Sequence, residues 1–496
     1  MAEARDVDLV GKLSEEERID LERRMGSVSP EEGKYADDAN PLRKYLSDGA
    51  EWRECAAIQL LLLQARHHFG QATTEQVAEV ERALEKFSPA NAALLEEKVT
   101  KHDQLAVLEE LGRHISPETK ALLHPGTTSY DVLDTARAVL YRGAWKKIIA
   151  PQVGKAIEQL CEIAERSMEV LQVGRTHLQN TSPVPFGATI AGYAARLAER
   201  ATRCDEYFGR LRGKVSGIVG TGASIDMVVG EGKSREFEQW VLGALRLPID
   251  KTATQIVQKE ALADVGHGLT TLMAVLADFS NDIRMMYSSA IGEVTSRDNA
   301  ARLGGSSADA TKNNPIQWEN MCGKAVVVES GMRILYDMIH SDFQRDLRNS
   351  VEGRYQPRAM MAQAFEAFRR LNKALPQLSI NEDRMAANLQ PVRDNPSEAM
   401  VAILRGIGYV HPQYGVGHDF VKEMGLRAQK EKRKLLEVAL EHMHFGAAYD
   451  ALPQNKREIL EGRLELYTGC AVEKAKDNIE YARTVAQGFE AGAKHG

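Results

Sequence analysis

Residues 259–294 read KEALADVGHGLTTLMAVLADFSNDIRMMYSSAIGEV, and this stretch decides the fold. Its apolar side chains recur at helical spacing for more than thirty residues: Leu269, Leu272, Val275, Leu276, Phe279, Ile283 and Met286. A periodic pattern longer than about 25 residues is typical of long bundled helices rather than of a short globular helix. We therefore expect a bundle of long helices in the middle of the chain.

Helical patterns continue on both sides of this run. We predict further helices over 51–68, 74–86, 90–112, 152–171, 188–211, 318–339 and 358–375. In the fourth of these, Val153, Ile157, Leu160 and Ala164 form one apolar stripe. No strand-like alternation of comparable length appears, so the fold class is all-α. After Pro376 the helical patterns shorten, which suggests a third, smaller helical domain from about residue 377 to the end.

Composition excludes several classes of protein. The chain has 496 residues, of which 43% are hydrophobic and 27% charged, as in an ordinary soluble globular protein. The net charge of -7 argues against a nucleic-acid binder. Apolar runs such as 56–63 are far shorter than the roughly 20 residues of a membrane span. The five cysteines include no C-x-x-C pair, and the first twenty residues lack a secretion signal. We expect a cytoplasmic protein with reduced thiols.

The first candidate site is the stretch GGSSADATKNNPIQWEN, residues 304–320. Two glycines and paired serines make a loop with high backbone freedom, and Pro315 precedes a predicted helix. Ser306 is a candidate base, Lys312 a fixed cation and Asn314 a carboxamide. This set suits a small anionic substrate that is held while a proton is removed. A flexible polar linker has the same composition, so both interpretations stay open here.

The second candidate is GRTHLQ, residues 174–179. We expect His177 to lie at a helix-to-loop break among the donors Arg175, Thr176 and Gln179. Histidine titrates near neutral pH and suits proton transfer. A lone histidine is more often a structural residue, but the neighbouring donors favour a catalytic one.

The third candidate is HPGTTSYD, residues 124–131, a hydroxyl-rich turn that leads into a predicted helix. Free amides at a helix start, together with Thr128 and Ser129, suit an anion such as a carboxylate or a phosphate. A plain helix N-cap explains Ser129 or Asp131 equally well.

Residues 343–354 form a fourth candidate, because Arg345 and Arg354 with Ser350 between them can donate to a phosphate. A solvated helix face with ion pairs is the alternative. The segments 101–103 (Lys-His-Asp) and 254–255 (Thr-Gln) carry weaker signals when each is read alone.

Taken together, these motifs resemble the fumarase/aspartase superfamily over about residues 40–482. The Ser-Ser…Lys-x-Asn-Pro…Glu-Asn loop, Arg-Thr-His-x-Gln and His-x-Gly-x-Thr-Ser-x-Asp all fit the family in one chain. TQIVQ at 254–258, QRD at 344–346 with Ser350 and Arg354, and YTGCA at 467–471 point to the branch that acts on succinylated purine nucleotides.

The resemblance implies three mostly helical domains, residues 1–126, 127–376 and 377–496, and a homotetramer around a central twenty-helix bundle. Active sites would combine segments of three subunits. The family reaction is an anti elimination of fumarate without metal or organic cofactor. Ser306 would then be the base and His177 the acid that protonates the departing nitrogen.

By the same resemblance the small-molecule partner is a purine nucleotide that carries a succinyl group. Its binding residues would be Lys44, Tyr45, Lys101, His102, Asp103, His124, Thr128, Ser129, Thr176, Gln255, Lys312, Asn314, Asn320, Arg345, Ser350 and Arg354.

The chain departs from the family pattern at two places. Asp309-Ala310-Thr311-Lys312 stands where the family has Met-Pro-x-Lys, and Lys44-Tyr45 stands where it has Arg-Tyr. Lysine keeps the charge but loses the forked donor geometry of arginine. Two alternatives follow: a sister lyase or cycloisomerase that acts on another succinyl or carboxylated substrate, and a helical scaffold that has lost its chemistry.

Overall fold

The computed structural model of the chain describes residues 13–296 and 312–494. The N-terminal part contains α1 (Glu15–Met25), α2 (Ala36–Ala39), α3 (Arg43–Leu46), α4 (Asp48–His68), α5 (Thr74–Lys86), α6 (Pro89–Leu95), α7 (Asp103–Gly112) and α8 (Pro117–Lys120). The middle contains α9 (Ser129–Ala144), α10 (Ala150–Arg166), α11 (Phe186–Gly209), α12 (Ala223–Val229), α13 (Ser234–Ala244), α14 (Glu260–Met286), α15 (Ile316–Asp337) and α16 (Arg348–Ala374).

The last part contains α17 (Glu382–Asp394), α18 (Ser397–Gly406), α19 (Gly417–Glu431), α20 (Leu435–Leu440), α21 (Met443–Asp450), α22 (Gln454–Leu460) and α23 (Ala471–Lys494). Three antiparallel strand pairs accompany them: β1 (Leu171–Thr176) with β2 (Gln179–Pro185), β3 (Val294–Ser296) with β4 (Leu378–Ile380), and β5 (Val410–His411) with β6 (Gly415–Val416). The all-α prediction is confirmed, because these strands are short.

The long helices pack into one bundle, as the apolar periodicity predicted. Helices α10, α11, α14, α15 and α16 contact one another, and the seven apolar side chains named for 259–294 are all at most 9% exposed. Gly266 of α14 has no room for a side chain, since an added Cβ would lie 2.1 Å from Cδ1 of Leu335 on α15. This glycine permits α14 and α15 to approach each other closely.

Helix α23 returns to the bundle from the C-terminal part and packs against α10 and α11. Its side chains Ala475, Ile479, Ala482 and Ala486 belong to the main core. Residues between Met400 and Leu460 form a second, separate core. No helix among the described residues is long and apolar enough to cross a membrane.

The helical run predicted over 259–294 ends at Met286, and Val294 belongs to β3.

Three further sequence expectations were wrong in detail. The helix predicted over 90–112 is broken at Lys101, whose φ is 53°, and His102 then caps α7. The helix predicted from residue 358 begins at Arg348, so Ser350 and Arg354 lie inside α16. The segment after α10 forms the β1–β2 hairpin, where a helix-to-loop break was expected for His177. Short strands pair through a turn and carry little periodic signal.

Helix α9 carries three buried charged residues at successive i, i+3 positions: Asp131, Asp134 and Arg137. Asp131 pairs with buried Lys214, and Asp134 lies 2.8 Å from Nζ of Lys259. A buried charge that lacks a partner costs several kcal/mol, so each pair fixes where its partner segment meets α9.

Arg137 donates from Nε and Nη2 to Glu51 of α4 at 2.9 and 3.0 Å, and Arg358 of α16 donates to the same carboxylate at 2.7 Å. Burial by itself would raise the pKa of Glu51, but the two guanidinium groups outweigh it and lower the pKa to about 2. Glu51 thus joins α4, α9 and α16.

We expect Glu51→Gln to lower the free energy of unfolding by about 3–5 kcal/mol at pH 7, because two guanidinium groups lose their counter-charge. The folded-state pKa lies below the ordinary 4.5, so the charge stabilises the fold above pH 4.5 and the benefit is lost as the pH falls towards 2. The difference between wild type and variant should shrink by about 1 kcal/mol already at pH 4.

Urea unfolding at pH 7, 5 and 4 measures this difference. Glu437→Gln is the matched control, because that carboxylate is 53% exposed and lies 3.8 Å from its arginine partner. A difference that stays constant across these pH values would contradict the assignment of the charge to Glu51.

Candidate active site

The turn before α9 presents predicted site residues at a helix N-terminus. Thr128 is the N-cap, and its backbone N–H donates to Oδ2 of Asp131 at 2.7 Å. The side chains of Thr128 and Ser129 are half-buried. The positive end of a 16-residue helix, flanked by two hydroxyl groups, suits an anion.

His124 lies at the start of this turn in a left-handed conformation, with φ of 72°. Its Nδ1 is 3.0 Å from Nε2 of Gln59, a fully buried residue of α4. Burial lowers the pKa of His124, and the positive charge of nearby His102 acts in the same direction, against the charge of Asp131. His124 is therefore neutral near pH 7 and available as a hydrogen-bonding group rather than as a cation.

Arg345 joins two predicted motifs to the α9 turn. Its Nη1 donates to Oε1 of Gln255 at 2.9 Å, and its guanidinium lies 3.8 Å from the ring centroid of Tyr130. The hydroxyl of Thr254 donates to the carbonyl of Gln344 at 2.7 Å. Segments 124–131, 254–258 and 344–354 therefore meet at one place.

A loop that the sequence reasoning missed, residues 214–224, completes this cluster. The amides of Ser216 and Gly217 donate to Asp131 at 3.0 and 3.1 Å, and the hydroxyl of Ser224 donates to the carbonyl of Gly126 at 2.8 Å. The sequence signal that could have found this loop is its three closely spaced glycines, 217, 220 and 222. In the structure all three have positive φ. Such spacing marks a tight loop against another backbone.

Glu96, which was not predicted from the sequence, lies near residues of the 101–103 segment and of α16. Burial raises the pKa of Glu96 and the charge of Asp103 acts likewise, while the positive charges of Arg354 and His102 oppose them. Lys101 and His102 are exposed, and Ser350 is half-buried in the first turn of α16. This end of the cluster thus combines the acidic groups of Glu96 and Asp103 with the basic groups of Arg354 and His102.

Lys44 and Tyr45 lie on α3, beside the C-terminal end of α9. The ring of Tyr45 packs so closely on Gly143 of α9 that an added Cβ would lie 2.6 Å from its Cε1. Lys44 is exposed, with Nζ 5.8 Å from the Tyr45 ring centroid.

His177 lies at the tip of the β1–β2 hairpin. His177 and Leu178 have φ of 53° and 60°, as the two central residues of a type I′ hairpin turn do. Thr176 and His177 are exposed. The side chain of His177 makes no hydrogen bond, ion pair or ring contact with any residue in 13–296 or 312–494, so within one chain it is not joined to the α9 cluster.

The remaining predicted residues belong to the 304–320 stretch. Ser306 lies outside the described residues, as do Asp309, Ala310 and Thr311. Lys312 is exposed, and the carbonyl of Asn314 accepts from the amide of Ile316 at 2.9 Å at the start of α15. Asn320 is half-buried in α15, and its Oδ1 has no hydrogen-bond partner among the described residues.

Among residues 13–296 and 312–494, no three or more His, Cys, Asp or Glu side chains are grouped so that they could hold a metal ion.

The close approach of Gly220 to Ala253 gives a test of the cluster. An added Cβ on Gly220 would lie 2.2 Å from the carbonyl oxygen of Ala253, and φ is 79°. We expect Gly220→Ala to lower the free energy of unfolding by roughly 2–5 kcal/mol, from backbone strain plus overlap. Gly232→Ala should cost only about 1–2 kcal/mol. Gly232 has a similar φ of 73° and no atom within 4 Å, so it isolates the strain.

Urea unfolding of both variants measures the two costs. Equal costs would mean that loop 214–224 is not pressed against the 253–255 segment.

A family model described as "Lyase" matches residues 40–329, more than half of the chain. Adenylosuccinate lyase of Archaeoglobus fulgidus is 26% identical, with 90% of this chain and 96% of that protein aligned. Adenylosuccinate lyase of Pyrococcus horikoshii is 28% identical, with 93% and 97% aligned.

Two crystal structures share the fold. Fumarate lyase from Mesorhizobium sp. BNC1 has a TM-score of 0.76 at 22% identity, covering 89% of this chain and 97% of that one. The 3-carboxy-cis,cis-muconate lactonizing enzyme from Pseudomonas putida has a TM-score of 0.77 at 22% identity, covering 90% and 98%. The chain therefore belongs to this lyase family, as its resemblance to the fumarase/aspartase superfamily predicted.

Proposed function

We propose that this lyase releases fumarate from adenylosuccinate to give AMP, and from the succinyl-aminoimidazole carboxamide ribotide of purine biosynthesis. The observation that carries the proposal is the contact of Arg345 with Gln255 and Tyr130 at the N-terminus of α9. Relatives named adenylosuccinate lyase, similar over nearly their whole length, support the same substrate.

The α9 cluster is suited to the nucleotide end of such a substrate. Arg345 is stacked on Tyr130 and oriented by Gln255, so its guanidinium is already held in one geometry. Preorganised arginine donors match phosphate oxygens, and less side-chain entropy is lost when they bind. Arg354, Ser350 and backbone amides of the α9 turn would add donors, and His102 and Asp103 would border the ribose and the base. Lys44 lies beside the C-terminal end of α9, so it would reach the substrate from another copy of the chain.

The elimination would proceed in two steps. Ser306 removes the proton from the carbon beside a carboxylate, and the electron pair moves into that carboxylate to give an aci-carboxylate. The pair then returns, the carbon–nitrogen bond breaks, and His177 gives its proton to the departing nitrogen, which leaves fumarate and the amine. Lys312 and Asn314 would hold the carboxylate as charge builds, where a preorganised donor is commonly worth a few kcal/mol. The mechanism needs neither metal nor organic cofactor.

A homotetramer would bring His177 to a cluster supplied by other copies. Apolar side chains on the bundle surface support association: Val326, Val327 and Tyr336 of α15 are 64, 50 and 51% exposed, and Val351 and Tyr355 of α16 are 62 and 73% exposed. Exposed large apolar side chains concentrated on two neighbouring helices are consistent with a protein–protein interface. Light scattering after size-exclusion chromatography measures the assembly.

A cycloisomerase acting on a carboxylated muconate is the second candidate, supported by the fold shared with the lactonizing enzyme. A sister lyase such as argininosuccinate lyase is a third, and a helical scaffold without chemistry a fourth. None of these three alternatives requires the hydrogen-bond donors that the α9 cluster offers to a phosphate.

The central test supplies adenylosuccinate to the purified protein and follows AMP and fumarate. We expect turnover by wild type, and loss of at least 10³-fold in kcat for Ser306→Ala, since the base is removed. The tetramer should persist in that variant. Absence of product from both purine substrates at high enzyme concentration removes the assignment, and an unchanged kcat in Ser306→Ala refutes the role of that serine.

Substitution of Arg345 tests the nucleotide end. Arg345→Ala should raise KM for adenylosuccinate by roughly 10- to 100-fold, because a charged hydrogen bond to phosphate is worth about 1.5–3 kcal/mol. Arg463→Ala is the matched control, a 61% exposed arginine paired with Glu458. If argininosuccinate or a carboxymuconate is turned over and Arg345→Ala leaves its KM unchanged, the corresponding alternative replaces the proposal.

A further inference from the structure

Two contacts of β1 hold the hairpin close to its tip, where His177 lies, and others such as Ser182 with Glu398 lie further from the tip. Val173 of β1 is buried against Leu389 of α17 and Leu464. Two residues further on, Arg175 donates from Nη1 and Nη2 to the carboxylate of Glu293 at 2.9 and 2.6 Å. Residues 176–180 are all exposed. Arg175 is therefore the last anchored side chain before His177.

Glu293 is itself held from three directions. Its side chain is fully buried, and Nδ2 of Asn388 donates to its Oε1 at 2.8 Å. Its carbonyl accepts from the amide of Asn381 at 2.9 Å, and the next three residues form β3, paired with β4. The carboxylate thus has a fixed position in the folded subunit.

Stability alone is a weak explanation of this arrangement. A fully desolvated carboxylate is expensive, and apolar residues of similar volume would stabilise a core at least as well. What a forked arginine–carboxylate pair adds is geometry, because two parallel hydrogen bonds define both the position and the plane of the guanidinium. Only one residue, Thr176, separates this fixed guanidinium from His177, so the pair also restricts the position of the hairpin tip.

We infer that Glu293 is a positioning residue for His177, acting through Arg175. The inference rests on the proposed function, in which His177 protonates the leaving nitrogen. The exposed imidazole makes no hydrogen bond among the described residues, so its position depends on the backbone below it. A displacement of about 1 Å at the reacting group can cost on the order of 100-fold in rate.

A double-mutant cycle tests the inference. Glu293→Gln should lower kcat by roughly 10- to 100-fold while KM changes little. In a His177→Ala background, the same substitution should have no further effect on kcat, because the residue it positions is gone. Arg175→Lys, which keeps the charge but loses the fork, should give an intermediate kcat. Losses of kcat that multiply in the double variant, or a rise in KM that equals the fall in kcat, would overturn the inference.

Hydrogen exchange gives a readout that does not depend on activity. We expect faster amide exchange in peptides covering residues 171–185 of Glu293→Gln. The control is Glu441→Gln, a surface carboxylate that also accepts two hydrogen bonds from guanidinium groups, one from Arg427 and one from Arg433. If wild type turns over neither purine substrate, the proposed function fails. Exchange then decides the inference, and an unchanged rate in 171–185 overturns it.

Discussion

Charge burial along α9 is the constraint on which the rest of the structure depends. Asp131, Asp134 and Arg137 each lie at most 8% exposed, and each meets a partner from a different part of the chain. A buried charge without its partner costs several kcal/mol. The three pairs therefore fix the register in which loop 214–224, the start of α14 and helix α4 meet α9.

The same helix also carries residues of the proposed site. Its N-terminus holds Thr128 and Ser129, and Tyr130 supplies the ring on which Arg345 stacks. Asp131 points back into loop 214–224, so the residue that secures the fold lies beside those proposed to face a ligand. This coupling holds the α9 cluster in one geometry, as the proposed anion site requires.

The groups proposed for proton transfer and for holding the reacting carboxylate are carried differently. His177 is at the exposed tip of a hairpin, and Lys312 precedes α15 on the other side of the 297–311 segment. The proposed binding groups are thus built into the subunit, while His177 and Lys312 are exposed. The proposed site completed by neighbouring copies is consistent with this division, and we assign to Glu293 the positioning of the hairpin tip.

The sequence by itself determined the helical class, the extent of α5, and the buried face of α14, because these depend on side chains three or four residues apart. It also named Gln255, Arg345 and the α9 turn as separate motifs. Only the tertiary structure decided that they meet, that helix 90–112 breaks at Lys101, and that residues 171–185 form a hairpin. Pairs such as Asp131–Lys214 and Arg175–Glu293 join residues 83 and 118 positions apart. Local periodicity carries no information about such distant partners, since their energy depends on burial that exists only after the chain has folded.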